Sequence, residues 1–256
     1  MNDLMVAIES EFSWCTWDNY KPVYLADYAS KITGINGITV KLIENFPSKF
    51  DAMAMVDILH KTIYLPLMDS TEPLDQDFFR RIKSLLYHEC AHLMYPDHSD
   101  SYITQARQKQ LLITTLSRTI DDVRIEALIG NIHTDIRKDF KFLIDSHWLE
   151  NYAIPPVDDT EMGTGRFGDY SDSIIGSLYW ILQRRYREAS LDPPPPCKKI
   201  LPFIAVYGME KIFEKELAPL LDPFVVSKDP AWEMAVQILD VLMKYYPGCF
   251  PEEYFV

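Results

Sequence analysis

The segment that most constrains the fold is a stretch of helical periodicity between residues 76 and 95. Apolar residues recur in it at intervals of three and four, which is the spacing of one face of an α-helix. The pattern predicts an amphipathic helix that packs this apolar face against a core. The members of the face are Phe79, Ile82, Leu86, Cys90 and Leu93.

Two histidines, His88 and His92, lie off this apolar face and one helical turn apart, so their imidazoles project side by side. Such a pair supplies two nitrogens at the spacing that a single Zn²⁺ ion needs. Glu89 lies between them in the H-E-x-x-H arrangement, where it reaches the same side without being forced to coordinate. We interpret the segment as a site for one zinc ion, with Glu89 as a general base that takes a proton from water. Cys90 lies on the apolar face, and we interpret it as a buried small residue rather than a ligand or a nucleophile.

A catalytic zinc site needs a third protein ligand and an open position, and two parts of the chain compete to supply the ligand. His98 follows His92 by six residues, which is the metzincin spacing. Metzincins, however, carry a glycine where Tyr95 stands. The alternative is a predicted helix over residues 102 to 129, on which Asp122 and Glu126 lie one turn apart, away from the core stripe.

The acids of this second helix also have a simpler interpretation. The run "DDVRIE" also occurs on ordinary charged helix faces, and Asp121 would then pair with Arg124. The core stripe of the helix is predicted to consist of Leu116, Ile120, Val123 and Ala127.

The two segments "HECAHLMYPD" and "IDDVRIEALI" together resemble a family of gluzincin-like HExxH metallopeptidase domains of bacterial and phage proteins. Such domains often precede a von Willebrand A module or occur in cobaltochelatase-like proteins. The resemblance covers roughly residues 50 to 130, and it departs from the family at Arg118 and Asp121, where asparagine and glutamate are usual. The matching positions are His88, Glu89, His92, Tyr95, Asp97, Asp122, Arg124 and Glu126.

The resemblance implies roles for the residues around the ion. Asp122 is implied as the third ligand, Glu126 is the second choice and His98 the third. Glu126 would otherwise orient a ligating histidine. Tyr95, Asp97 and Arg124 are further candidates for supporting the ligands or the transition state, although Arg124 could equally serve as an internal salt-bridge partner.

The order of the patterns predicts an α+β fold, with a small N-terminal β-sheet followed by a mainly helical zincin-like core that carries the HExxH helix and extra C-terminal helices. Strands are expected at 37–46, 52–59 and 61–67, the last two joined by a tight turn at His60-Lys61. The third strand would present either a free edge to an extended peptide or a covered one. Two short helices are expected within 3–33, and a longer one at 102–129 is expected to end at Gly130. Three more helices are expected at 174–189, 198–216 and 229–245.

These elements are expected to form a single metallopeptidase-like domain over residues 1–256. Its parts would be N-terminal helices and a small sheet in 1–70, a metal-binding helical core in 71–150, and a C-terminal helical part in 151–256. The proline run at 192–196 would act as a stiff connector within the last part.

Composition bears on the partners and the compartment. The net charge of −13 argues against nucleic acid or an anionic membrane surface as a partner, and the basic runs "FRRIK" and "QRRYRE" are interpreted as solvated helix faces. The four cysteines form no CxxC pair, and the N-terminus lacks the positive charge of a signal peptide, which indicates the cytoplasm. We expect a zinc metallopeptidase with a peptide or protein substrate. The alternative is an inactive relative that keeps the metal as a staple and binds a protein partner.

Overall fold

The computed structural model describes residues 20–44, 54–67, 76–96, 111–152, 169–188 and 208–250. The elements are α1 (Pro22–Thr33), β1 (Thr39–Ile43), β2 (Met55–Asp57), β3 (Thr62–Pro66), α2 (Gln76–Met94), α3 (Leu111–Ile132), α4 (Ile136–Tyr152), α5 (Asp169–Tyr186), α6 (Met209–Ile212), a π-helical turn (Phe213–Leu217), α7 (Ala218–Phe224) and α8 (Ala231–Tyr245). A small sheet ahead of a mainly helical part confirms the predicted α+β class.

The chain divides into two compact units, Met1–Pro96 and Asp97–Val256. The first unit contains α1, the three strands and α2, and the second contains the remaining helices. The organisation into one domain with three parts stays a prediction. The first of the two helices expected within 3–33 falls in residues 3–19, and the proline run at 192–196 falls in another gap, so both lie outside the described residues.

The three strands form a mixed sheet in the order β1-β3-β2. β1 pairs in parallel with the whole of β3, from Thr39 opposite Thr62 to Ile43 opposite Pro66, and β2 pairs antiparallel with the other side of β3. β3 is therefore the central strand. Within the described residues β1 pairs with one edge of β3 along its whole length, and β2 pairs with the other edge at Thr62–Tyr64. The idea that these paired positions offer a free edge to a peptide is therefore wrong.

The connection between β2 and β3 is the tight turn that the sequence predicts. Asp57 caps it by accepting a hydrogen bond from the backbone N–H of His60 over 3.0 Å. Lys61 follows with a φ of 48°, a left-handed conformation that brings the chain straight back along β2. Such a side-chain cap is typical of aspartate in turns.

Helix α2 packs on the sheet with the apolar face that its periodicity predicts. A buried hydrogen bond of 2.9 Å between the hydroxyls of Tyr87 and Tyr28 joins α2 to α1. Burial on this scale contributes roughly 1.5–3 kcal/mol for each large aliphatic or aromatic side chain. The face consists of Phe79, Ile82, Leu86, Cys90 and Leu93, and none of them is more than 8% exposed.

The second unit has its core where α3, α5 and α8 meet with the segment from α6 to α7. Leu116, Ile120 and Val123 of α3 are each 1% exposed, as their predicted place in the core requires. Ala127, the predicted fourth member of the stripe, is half-buried. The partners of α3 in this core include Ile174, Leu178 and Leu182 of α5 and Ala235, Ile238 and Leu242 of α8.

Helix α3 does not end at Gly130, as the sequence suggested, but continues to Ile132. Gly130 instead allows a close approach by Arg137 of α4. A β-carbon at position 130 would lie 3.0 Å from Cγ of Arg137, and the Nε of Arg137 donates a hydrogen bond of 3.1 Å to the Gly130 carbonyl. The glycine is thus explained by packing rather than by helix termination.

The helix expected over 198–216 is described from Met209 onward and does not end at 216. It passes through the π-helical turn, in which the backbone N–H of Ala218 donates to the carbonyl of Phe213, and continues as α7. Pro219 stands in the first turn of α7, where a missing backbone N–H is tolerated. Helix α4 had no individual prediction.

Candidate metal centre

Helix α2 presents His88 and His92 on one side, away from its buried face. Their Nε2 atoms lie 3.2 Å apart, and their rings meet edge to face with centroids 4.8 Å apart. Both residues are half-buried, whereas the apolar face is buried. The prediction that the two histidines lie side by side off the core face is therefore confirmed.

Asp122 of α3 completes a group of three with this pair. One potential ligand atom from each of His88, His92 and Asp122 lies within 4.8 Å of the others, and Asp122 is half-buried like the histidines. The group is the one candidate of this kind within the part of the chain that the structure describes.

The three residues could hold one metal ion, and their ligand atoms are of a kind that zinc accepts. Two imidazole nitrogens and one carboxylate oxygen are a ligand set that zinc accepts, with a fourth position open. With zinc–nitrogen bonds of about 2.0–2.1 Å, two ligand atoms at a tetrahedral angle lie about 3.3 Å apart. The separation of 3.2 Å between the two Nε2 atoms is close to that value.

Glu89 lies in the same helical turn as the two histidines and is 4% exposed. Its carboxylate affects the pKa of the neighbouring Cys90 thiol. Burial raises the pKa of that thiol well above its ordinary value, and the nearby charge of Glu89 raises it further. Cys90 is fully buried, which agrees with its interpretation as a small core residue.

Glu126, the second choice for the third ligand, has both carboxylate oxygens against the guanidinium of Arg187. Nη2 of Arg187 donates to Oε1 over 2.7 Å, and Nε lies 2.6 Å from Oε2. Both side chains are buried, at 6% and 7% exposure. The description of the run "QRRYRE" as a solvated helix face is therefore wrong at Arg187, because Glu126 binds that side chain inside the second unit.

Sequence reasoning did not identify Arg187 or Tyr179 as neighbours of the candidate ligand. Burial raises the pKa of the Tyr179 phenol; the Arg187 guanidinium opposes this shift, and the carboxylates of Asp122 and Glu126 add to it. These effects place Tyr179 in the electrostatic neighbourhood of Asp122. The signal was absent from the local pattern, because Arg187 is separated by 61 residues from the acid that it pairs with.

Arg124 is engaged in an internal ion pair, the alternative that the sequence left open for it. Its Nε donates to Oδ1 of Asp121 over 2.9 Å, and its Nη2 donates to the same oxygen over 2.5 Å. The side chains are 2% and 6% exposed. The role of Arg124 in supporting the transition state stays a prediction.

The remaining predicted site residues follow the end of α2. Tyr95 is half-buried, and its backbone N–H donates to the carbonyl of Ala91 over 2.8 Å, which extends the helical hydrogen bonding. Asp97 and His98 lie outside the described residues, so their roles stay predictions.

Comparisons with protein-family models, with curated proteins and with solved structures found no match. Among the described helices, none combines the length and the apolar character that crossing a membrane requires.

Proposed function

We propose that this chain is a zinc-dependent metallopeptidase that hydrolyses peptide bonds. The observation that supports this proposal most is the convergence of one ligand atom each from His88, His92 and Asp122 within 4.8 Å of one another. Glu89 lies in the turn between the two histidines, and its carboxylate is the general base that such hydrolysis requires.

A zinc ion held by these residues would lower the pKa of a bound water from its ordinary value to about 7 and would polarise a carbonyl oxygen. The residues of the chain perform the rest. His88 and His92 would hold the ion through neutral imidazole nitrogens, and Asp122 would supply one negative charge. Glu89 accepts the proton of the attacking water on a carboxylate oxygen and passes it to the leaving amine.

The proposed substrate is a peptide or protein. The net charge of −13 opposes nucleic acid, which would bring further negative charge to an acidic surface. We also infer a cytoplasmic location from the cysteine pattern, and membership of the gluzincin-like type of HExxH domain from the motif. These assignments rest on the sequence.

A second candidate function is a metal-stapled module that binds a protein partner and has lost catalysis. The observation that favours it is the burial of Glu89, which is only 4% exposed. A general base has to come within hydrogen-bond distance of water and substrate. A structural site makes no such demand.

Replacing Glu89 with glutamine separates the two candidates. If the chain is a peptidase, Glu89→Gln should retain the metal, but its rate of hydrolysis of quenched fluorescent peptides should fall about a hundredfold or more. Glu233→Gln, an exposed substitution on α8, is the matched control and should keep both properties. Wild-type protein that binds zinc and cleaves no peptide or protein in a broad library would favour the module. Hydrolysis that survives Glu89→Gln would exclude Glu89 as the base.

A further inference from the structure

Helix α3 carries three acids within six residues, Asp121, Asp122 and Glu126. Asp122 and Glu126 are four residues apart, so their side chains project from the same side of the helix. Within the described residues, only Asp122 belongs to the candidate metal group. Helical spacing alone does not explain why Glu126 is excluded.

The other two acids, Asp121 and Glu126, are each paired with the buried side chain of an arginine. Arg124 holds Asp121 within α3 itself, and Arg187, which immediately follows α5, holds Glu126. Nη2 of Arg187 donates one hydrogen bond of 2.7 Å to Oε1 of Glu126, and Nε makes an ion-pair contact of 2.6 Å with Oε2. A hydrogen bond between two charged groups of this kind is stronger than one between neutral groups.

Arg187 is itself held in place from α5. Its Nη1 donates over 2.8 Å to Oε1 of Gln183, a side chain with 0% exposure, and it also donates a hydrogen bond to the hydroxyl of Tyr179. If Glu126 rotated towards an ion, the buried guanidinium would lose the carboxylate that it contacts directly. The arrangement therefore opposes coordination by Glu126.

We propose that Arg187 is a positioning residue that withholds Glu126 from the zinc ion and so keeps Asp122 as the one carboxylate ligand. This inference rests on the proposed function. With Glu126 withheld, the ion has three protein ligands and an open position, which is the arrangement of catalytic zinc sites. With Glu126 released, a fourth protein ligand closes that position, which is the arrangement of structural sites.

The test is the zinc dissociation constant, measured by competition with a chromophoric chelator on the full chain. Arg187→Met should bind zinc about tenfold more tightly than wild type, because Glu126 adds a ligand and a negative charge. Arg187→Met combined with Glu126→Gln should return the constant to the wild-type value. Arg185→Met is the matched control: Arg185 is close in sequence but pairs with Asp222 and Glu214, so its loss should leave zinc affinity unchanged.

Arg187→Lys covers the case in which the methionine variant does not fold, because lysine keeps the charge but lacks the planar fork. It should also bind zinc more tightly than the double variant. Cobalt substitution gives a second readout: added azide should change the absorption spectrum of the wild type and of the double variant, but not that of Arg187→Met. Folded Arg187 variants with wild-type zinc affinity and azide response would overturn the inference and leave the proposed function intact. A wild type that takes up no zinc would instead refute the proposed function, and this inference with it.

Discussion

The buried pair of Asp121 and Arg124 predicts a large and specific loss of stability when Arg124 is replaced by methionine. The two side chains are 6% and 2% exposed, and two guanidinium nitrogens lie within 2.9 Å of one carboxylate oxygen. Methionine preserves most of the length of the side chain but removes the charge. Asp121 is then left as a buried carboxylate that has lost this counter-charge.

Removing one partner of a buried ion pair costs about 3–5 kcal/mol, because the remaining charge keeps its desolvation penalty. Folded domains are typically stable by only about 5–15 kcal/mol, so Arg124→Met should remove a third or more of the free energy of unfolding. Removing both charges, with Asp121→Leu added to Arg124→Met, relieves that penalty. The double variant should therefore be more stable than the single variant by about 2–4 kcal/mol.

Urea denaturation, followed by far-UV circular dichroism, measures the free energy of unfolding of the wild type, Arg124→Met, Asp121→Leu and the double variant. Arg118→Met is the matched control, since Arg118 is an exposed arginine on the same helix, and it should change stability by no more than about 0.5 kcal/mol. A loss below about 1 kcal/mol for Arg124→Met would refute the reasoning. So would a double variant whose loss equals the sum of the two single losses. Either result would show that the pair is not a coupled buried interaction.

Three further predictions concern other parts of the chain. Gly34→Ala should lower the free energy of unfolding by about 1 kcal/mol in urea titrations, because Gly34 ends α1 at a φ of 70° in the left-handed region. The Arg185 guanidinium lowers the pKa of the Asp222 carboxyl, so the stability that Asp222 contributes over Asp222→Asn should be present at pH 7 and be lost as the pH falls below about 4. Because Asp222 is 48% exposed, this contribution should not exceed about 1 kcal/mol in denaturation measured against pH. Cys90 is 0% exposed and should resist alkylation in the native protein but react in urea, as peptide mass spectrometry can show.

The sequence predicts those features of the structure that depend on local periodicity. The apolar face of α2 and the paired histidines opposite it follow from intervals of three and four residues, and the turn before β3 follows from short-range chemistry. Spacing alone determines which side chains are neighbours along a helix. The sequence therefore also indicated the Asp121–Arg124 ion pair, as the alternative to a supporting role for Arg124 at the metal.

Features that depend on contacts between distant segments were not predictable in this way. The pairing of β1 with β3 makes β3 a central strand, and no pattern within 61–67 indicates which strand lies beside it. A glycine at position 130 is typical of a helix end when only the sequence is considered. In the structure its role is to leave space for Arg137, which lies where a side chain at position 130 would be. The partner of Glu126 is separated from it by 61 residues, so the burial of Arg187 is a property of the folded second unit.

Metal analysis of the purified chain tests the central claim, that His88, His92 and Asp122 together bind one ion. Wild-type protein is dialysed against zinc and then against zinc-free buffer, and its metal content is measured by inductively coupled plasma mass spectrometry. It should retain about one zinc ion per chain. His88→Ala and Asp122→Asn should lose it while keeping the wild-type circular dichroism spectrum. The matched controls are His60→Ala and Asp135→Asn, two exposed positions, and both should retain the ion. Zinc retained by folded Asp122→Asn at the wild-type level would contradict the claim, as would wild-type protein that retains none.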